Sequence, residues 1–253
     1  MPVEHLTPNE NQVTPQQIHA YQWKVGSINY AATITRPDIA RAASNLSEFM
    51  QNPSPHHQEV ADQVIAYLNG TRSYAIQYSD VIDEDTFAVS SDAAYADDLT
   101  TRRSTEGYLF KLFGGPIDWR STKQKTVTTS TTEAELLALT AVAKETQFWK
   151  RFFSTIYLDL DHDISIACDN QQTLGLLDKE SPLLSTKLRH INIHNHWLRQ
   201  EVQQGRIKTQ WIPTAEMPAD GLTKSLPRQR HEKFVQQLGL VDISDRLKSI
   251  SIN

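Results

Sequence analysis

An α/β fold is what the sequence predicts: a mixed sheet flanked by helices, with a small helical module in front. Three observations predict it. Strand-like runs come first between residues 87 and 120 and then give way to alternating helical and strand-like segments, the order expected of a mixed sheet with helices packed on it. The helical periodicity of the leading part breaks near residue 74. Two of the strand-like runs end in an aspartate set on a face of small residues, which places functional groups at the rim of a sheet.

Residues 1–20 are polar, carry Pro2, Pro8 and Pro15 and show no periodicity, so disorder is expected there. A helix is predicted from Pro37 to about Met50, with Ile39, Ala43, Leu46 and Met50 near one face. Pro53 and Pro55 break it, and a second helix buries Val60, Val64, Ile65 and Leu68 before Gly70. These make a helical module over 21–80. Strands follow at 74–78, 87–92, 108–113 and 117–120, with Gly114-Gly115-Pro116 as the turn between the last two. A long helix is predicted over 132–153, a strand over 164–168, a helix over 170–178, another over 187–204, and a strand over 207–212. A last helix begins at Pro227, which closes an α/β domain over 81–240, and residues 241–253 read as a weakly specified tail.

The 253 residues are 39% hydrophobic and 22% charged, the composition of a soluble globular protein. No run approaches the roughly 20 apolar residues of a membrane span, and the N-terminus has no signal-peptide pattern. The one cysteine, Cys168, excludes an internal disulfide and reads as a small buried hydrophobe. A net charge of −5 argues mildly against a general nucleic-acid binder. Its distribution matters more: basic residues gather at Arg102 and Arg103, at Arg120, Lys123 and Lys125, and at Lys187 and Arg189.

Four carboxylates carry the functional signal. Asp92 ends a strand in which Ala88, Ser90 and Asp92 share a face, and Asp169 ends one in which Ser165, Ala167 and Asp169 do. Glu135 lies in the first turns of the long helix, where Ser130-Thr131-Thr132-Glu133 and Thr132-Glu133-Ala134-Glu135 both fit a capping box. Either glutamate can cap; Glu135 is preferred as a ligand because one is enough for the cap. Asp220 follows the last strand in Pro218-Ala219-Asp220-Gly221, which also reads as a simple turn. Oxygen-only ligands of this kind select Mg²⁺ or Mn²⁺, and two such ions can activate water and stabilise the leaving oxygen of a phosphodiester. The set points to a metal-dependent nuclease.

Two other patterns compete. Tyr95-Ala96-Asp97-Asp98 matches the Tyr-x-Asp-Asp signature of a polymerase palm, but Thr100-Thr101-Arg102-Arg103 after it is loop chemistry rather than a strand. His190 and His194 have zinc-like i, i+4 spacing, yet the inner Glu of His-Glu-x-x-His is missing and no cysteine lies nearby.

Read together, these segments resemble the ribonuclease H domain of copia-type long-terminal-repeat retrotransposon polyproteins. Ser91-Asp92-Ala93-Ala94-Tyr95-Ala96-Asp97, Arg102-Arg103-Ser104-Thr105-Glu106-Gly107-Tyr108 and Trp119-Arg120-Ser121-Thr122-Lys123-Gln124 through Glu133-Ala134-Glu135 each look like a family segment. So do Asp169-Asn170, Arg189-His190-Ile191-Asn192-Ile193 and Ala219-Asp220-Gly221-Leu222-Thr223-Lys224. Further forward, Gly26-Ser27-Ile28-Asn29-Tyr30 and Thr35-Arg36-Pro37-Asp38-Ile39 are similar to the region just after the reverse-transcriptase palm. The resemblance implies a three-layer ribonuclease H-like fold with a five-stranded mixed sheet, preceded by a thumb or connection remnant. It implies endonucleolytic cleavage of the RNA strand of an RNA–DNA hybrid, with two Mg²⁺ or Mn²⁺ ions held by Asp92, Glu135, Asp169 and Asp220. Arg102, Arg103, Lys123, Lys125, Lys187, Arg189 and His190 would follow phosphates, and Ser91 and Asn170 would stand behind the ligands or meet a 2′-hydroxyl. The missing fingers and palm are the implied protein partner, no membrane is involved, and the implied location is a cytoplasmic particle or the nucleus. No histidine precedes the last acid, where many ribonucleases H carry a mobile one; Glu216 is the titratable group there. The alternative is a catalytically silent or co-opted remnant that binds nucleic acid or a protein partner.

Overall fold

The computed structural model describes residues 6–79, 86–158, 160, 164–177 and 189–250, and the side chains of all of these except Arg189, His190 and Ile250. The expected disorder of residues 1–5 and the candidate Lys187 lie outside the described residues. The chain divides into two compact units, one running from Ser79 to Thr223 and the other combining the residues before Ser79 with those from Lys224 on.

Helix α1, Pro15–Ile34, opens the second of these. Disorder up to residue 20 is therefore corrected: residues 15–20 are helical. The start signal is Thr14, whose side chain accepts from Gln17 N while the Gln17 side chain answers to the Thr14 backbone, with Pro15 in the first turn. The periodicity is blurred because Trp23, Tyr30 and Ile34 are exposed while Tyr21, Val25, Ile28 and Ala32 form the buried stripe. The single helix expected over 37–50 is a 3₁₀ turn, Pro37–Ile39, followed by α2, Ala40–Ser47. A buried ion pair sets that start: Arg36 grips Asp38 through two bonds of 2.9 and 2.7 Å. Arg36 also reaches the Thr71 carbonyl and hydroxyl, and Tyr67 donates to Asp38 at 2.7 Å. Helix α3, Pro55–Gly70, is capped by Ser54 and packs Val60, Ala61 and Val64 against α1 and α2. Strand β1, Tyr74–Ile76, follows.

The other unit holds β2 (Phe87–Ala94), β3 (Thr105–Leu112) and β4 (Gly115–Lys123), an antiparallel meander. Its second turn is made by Phe113 and Gly114, at φ 52° and 79°. Two successive left-handed residues match the twist of a two-residue hairpin, and glycine meets that need without strain. The turn thus sits one residue earlier than expected, and Pro116 lies inside β4, tolerated on an edge strand beside a register shift at Phe110/Lys111. Next come α4 (Thr131–Thr155), β5 (Ser165–Cys168), α5 (Gln171–Gly175), α6 (Arg189–Gln203), β6 (Lys208–Trp211) and the short α7 (Asp220–Thr223). The sheet order is β4-β3-β2-β5-β6, with β2, β5 and β6 parallel. This is the expected five-stranded mixed sheet flanked by helices. Phe87 and Val89 of β2, Phe110 of β3 and Ile166 of β5 form its core with Leu136, Leu139 and Val142 of α4 and Ile191 and Leu198 of α6.

From Lys224 the chain returns to the first-described unit as α8 (Arg228–Gln237), β7 (Leu240–Asp242) and α9 (Ser244–Ile250). Strand β7 pairs antiparallel with β1, Tyr74 opposite Asp242. Two expectations are corrected here. The α/β unit closes at Thr223 rather than near 240, and residues 241–250 of the tail include the end of β7 and all of α9, while 251–253 lie outside the described residues. Neither three-residue strand announces a partner so far away in sequence.

Candidate metal centre

The register of the two central parallel strands builds the site. Val89 pairs with Ile166 and Ser90 with Ala167. Two residues further on, at the carboxyl ends of both strands, the same offset brings Asp92 level with Asp169. Crevices outside the carboxyl ends of parallel strands are where open α/β sheets bind ligands. Helix α4 supplies the third acid. Ser130 caps it by accepting from Glu133 N at 3.2 Å, and the Glu133 carboxylate turns back to Thr129, accepting from its N–H and hydroxyl at 2.7 Å each. Glu133 is thus spent on the helix start, which resolves the ambiguity between the two glutamates. Glu135 meets Asp92 and Asp169: one oxygen from each of the three lies within 4.8 Å of the others.

Asp92 is fully buried and Glu135 6% exposed, while Asp169 is half-buried. Two oxygens on opposite sides of one octahedral Mg²⁺ stand about 4.2 Å apart. Three carboxylates with this spread are a donor set that a hard divalent cation fits, and they repel one another without it. Burial pushes the Cys168 thiol up to about 12, with the charges of Glu135, Asp169 and Asp92 adding to the effect. A fully buried thiol held in the protonated direction is inert packing, in keeping with a small buried hydrophobe.

Asp220, the fourth candidate, is not one of the three that meet. It is the first residue of α7 and 2% exposed. Thr223 of α7 reaches the cluster, its Oγ1 donating to Asp92 Oδ2. Thr214, in a 3₁₀ turn after β6, donates to Asp169 Oδ2 at 2.7 Å. Gly107 stands directly opposite Asp92 in the β2–β3 pair. Thr223, Thr214 and Gly107 escaped sequence reasoning because their roles depend on strand register and on contacts across large sequence separations.

No protein-family model matches the chain. The retrovirus-related Pol polyprotein of transposon TNT 1-94 from Nicotiana tabacum is 37% identical over 222 residues, 87% of this chain and 16% of that protein. The Pol polyprotein of transposon RE2 from Arabidopsis thaliana is 32% identical over 88% of this chain and 15% of its own length. The chain is homologous to a segment of the retrovirus-related Pol polyproteins of plant copia-type transposons. It spans about a sixth of the length of the Pol relatives just named. Among solved structures, it is similar to LC11-RNase H1 isolated from compost, at 13% identity and TM-score 0.42 over 58% of this chain and 96% of that one.

The remaining candidates of this Pol segment fall into place around the sheet. Asp97 accepts from Thr105 N and Oγ1 at 2.8 Å each, and Asp98 accepts from Thr100 N, Thr101 N and the Lys123 ammonium. Burial opposes ionisation of Asp98, but the bonds from Lys123, Thr101 and Thr100 outweigh it and hold its carboxyl well below the usual range. Both acids of the Tyr-x-Asp-Asp match therefore pin a loop. Lys123 spends its charge in that pair, leaving Arg102, Arg103 and Lys125 exposed at the end of the sheet where Ala94, Thr105 and Lys123 stand in register. Ser91 is fully buried, on the face of β2 shared with Phe87 and Val89, which corrects the expectation of a 2′-hydroxyl contact. Asn170 caps α5, its Oδ1 accepting from Thr173 N at 3.0 Å. The side chains of Arg189 and His190 lie outside the described residues. Among the described residues the one group of three or more metal-ligating side chains is Asp92–Glu135–Asp169, and it contains no histidine. No described helix is long and apolar enough to cross a membrane.

Proposed function

We propose that the unit from Ser79 to Thr223 is a ribonuclease H that cleaves the RNA strand of an RNA–DNA hybrid with a divalent metal. The observation that carries this reading is the convergence of Asp92, Glu135 and Asp169 oxygens within 4.8 Å at the carboxyl ends of two parallel strands. Homology to the Pol polyproteins supports the substrate class, since reverse transcription produces RNA–DNA hybrids. Asp92, Glu135 and Asp169 would hold the metal, with Asp220 completing the set from α7. When bound, a pair of Mg²⁺ or Mn²⁺ ions would supply an activated water and would neutralise charge on the departing 3′ oxygen.

The chain's own groups do the rest. Thr214 and Thr223 each give a hydroxyl to one acid and restrict its rotation. Arg102, Arg103 and Lys125 meet backbone phosphates and give affinity without reading sequence. Asn170, already tied to the α5 start through Oδ1, offers its amide N–H groups to a 2′-hydroxyl, which distinguishes RNA from DNA. The test is cleavage of a hybrid labelled on its RNA strand, with Mg²⁺ or Mn²⁺ and with chelator, beside Asp92→Asn. The expected outcome is metal-dependent cutting of RNA alone, lost in the variant. A folded wild-type chain that binds hybrid and cuts neither strand in either metal would contradict the proposal and favour a non-catalytic remnant.

A further inference from the structure

We propose that Thr223 is a positioning residue of the acid cluster: its hydroxyl holds the Asp92 carboxylate in the orientation that meets Glu135 and Asp169. Gly107 is the clearance that admits it. The inference rests on reading that cluster as a divalent-metal site.

Thr223 is 1% exposed in the last position of α7, and its Oγ1 donates to Asp92 Oδ2. The same oxygen lies 3.3 Å from the Asp220 carbonyl, the farther of the two acceptors within reach of its single proton, so Asp92 takes the bond. The clearance is equally specific. A β-carbon on Gly107 would lie 2.8 Å from Leu222 Cβ, 2.8 Å from Thr223 Cγ2 and 3.3 Å from the Leu222 carbonyl carbon. Two of those atoms are fixed by the α7 backbone, so any side chain at 107 pushes α7 away from the residue opposite Asp92.

The physical need follows from the cluster. A carboxylate turns about its last torsion in a broad, two-fold well, and three clustered acids, two of them buried, repel one another. A fixed donor on Asp92 opposes that splay. A hydroxyl is suited to the task because it carries no charge; a lysine or arginine there would cancel the negative field that attracts a cation. Hydrogen-bonding partners of ligating carboxylates tune affinity in this way. Thr214 makes the corresponding bond to Asp169 from an exposed turn, where water competes with it.

The test uses the full chain and two readouts, Mn²⁺ affinity by electron paramagnetic resonance titration and cleavage of a labelled hybrid, with melting curves confirming that each variant folds. Thr223→Val removes the hydroxyl at nearly constant volume, and Thr223→Ser keeps it while losing the methyl. Thr223→Val is expected to weaken Mn²⁺ binding and cleavage by about 10- to 100-fold, with Thr223→Ser close to wild type in both. Wild-type Mn²⁺ affinity in Thr223→Val would overturn the proposal, and so would equal losses in the two variants, which would assign Thr223 to packing. Should Thr223→Val fail to fold, Gly107→Ala carries the question: it keeps the hydroxyl but displaces it, and undiminished Mn²⁺ affinity there would also overturn the proposal. Wild type binding Mn²⁺ no better than Asp92→Asn would instead overturn the metal reading beneath it.

Discussion

Asp92 is buried beside two further carboxylates, an arrangement that opposes folding until a cation neutralises it. Removing one charge should therefore stabilise the metal-free chain. Asp92→Asn is expected to melt above wild type in chelator, by about 2–4 °C per kcal/mol of repulsion relieved in a domain of this size. Added Mg²⁺ should raise wild type and leave the variant unmoved, because only the state that binds is stabilised. Gly107→Ala should go the other way, losing about 1–3 kcal/mol by overpacking against α7, measurable as a lower urea midpoint. At this scale the sequence was informative about Asp92 and Asp169, because strand alternation alone put both on small-residue faces at strand ends. For the pair Glu133 and Glu135 it gave a preference for Glu135 as the ligand without saying which one caps, since two overlapping capping boxes fit the helix start; the bond from Thr129 goes to Glu133. Thr223 stayed hidden because its partner is 131 positions away.

Individual elements were legible where local chemistry dominates. The meander, α4 and the β5–β6 pair follow from alternation, capping and periodicity, and the structure shifts their ends by a few residues. Helix α1 was missed despite its Thr14–Gln17 box, because exposed Trp23, Tyr30 and Ile34 blur its apolar stripe. The turn from α1 into α2 depends on Arg36 and Asp38, both almost fully buried. Asp38→Ala leaves the guanidinium buried without its carboxylate, so a loss of about 3–5 kcal/mol is expected. Tyr67→Phe removes one bond to that carboxylate and should cost about 1.5–3 kcal/mol. Denaturant melts of the two variants check the order. In the loop at the end of the sheet, Arg102→Ala and Arg103→Ala are each expected to lower the slope of log affinity for hybrid against log salt by about one.

At the scale of the whole molecule, the return of residues 224–250 to the leading helices was beyond sequence reading. Strands of three residues carry no register signal, and the pairing of β1 with β7 is decided by contacts made after folding. Two histidines give that unit a pH signature. Burial lowers His57, which is stacked on Phe49 at 4.0 Å with Nδ1 accepting from Ser54 N. Burial also lowers His231, which packs edge-on against Tyr67 and donates through Nε2 to the Asp38 carbonyl. Both sit below their ordinary 6.5 in the folded state, so the unfolded chain takes up protons first as pH falls. Their stabilisation is present above that value and is lost as pH drops from it towards the folded values. Melts between pH 7.5 and 5 should show this unit weakening, and His231→Phe should flatten the dependence.

The two glutamates of α4 offer the most direct test of the central claim, that Asp92, Glu135 and Asp169 form a hydrolytic metal centre. Cleavage of an RNA-labelled hybrid in Mg²⁺ and in Mn²⁺ would be measured for wild type, Glu135→Gln and Glu133→Ala. The account predicts RNA cutting by wild type, its loss in Glu135→Gln with stability retained, and its persistence in Glu133→Ala at a stability cost of about 1 kcal/mol from the damaged cap. Intact RNA with folded wild type in both metals, or undiminished cutting by Glu135→Gln, would contradict it.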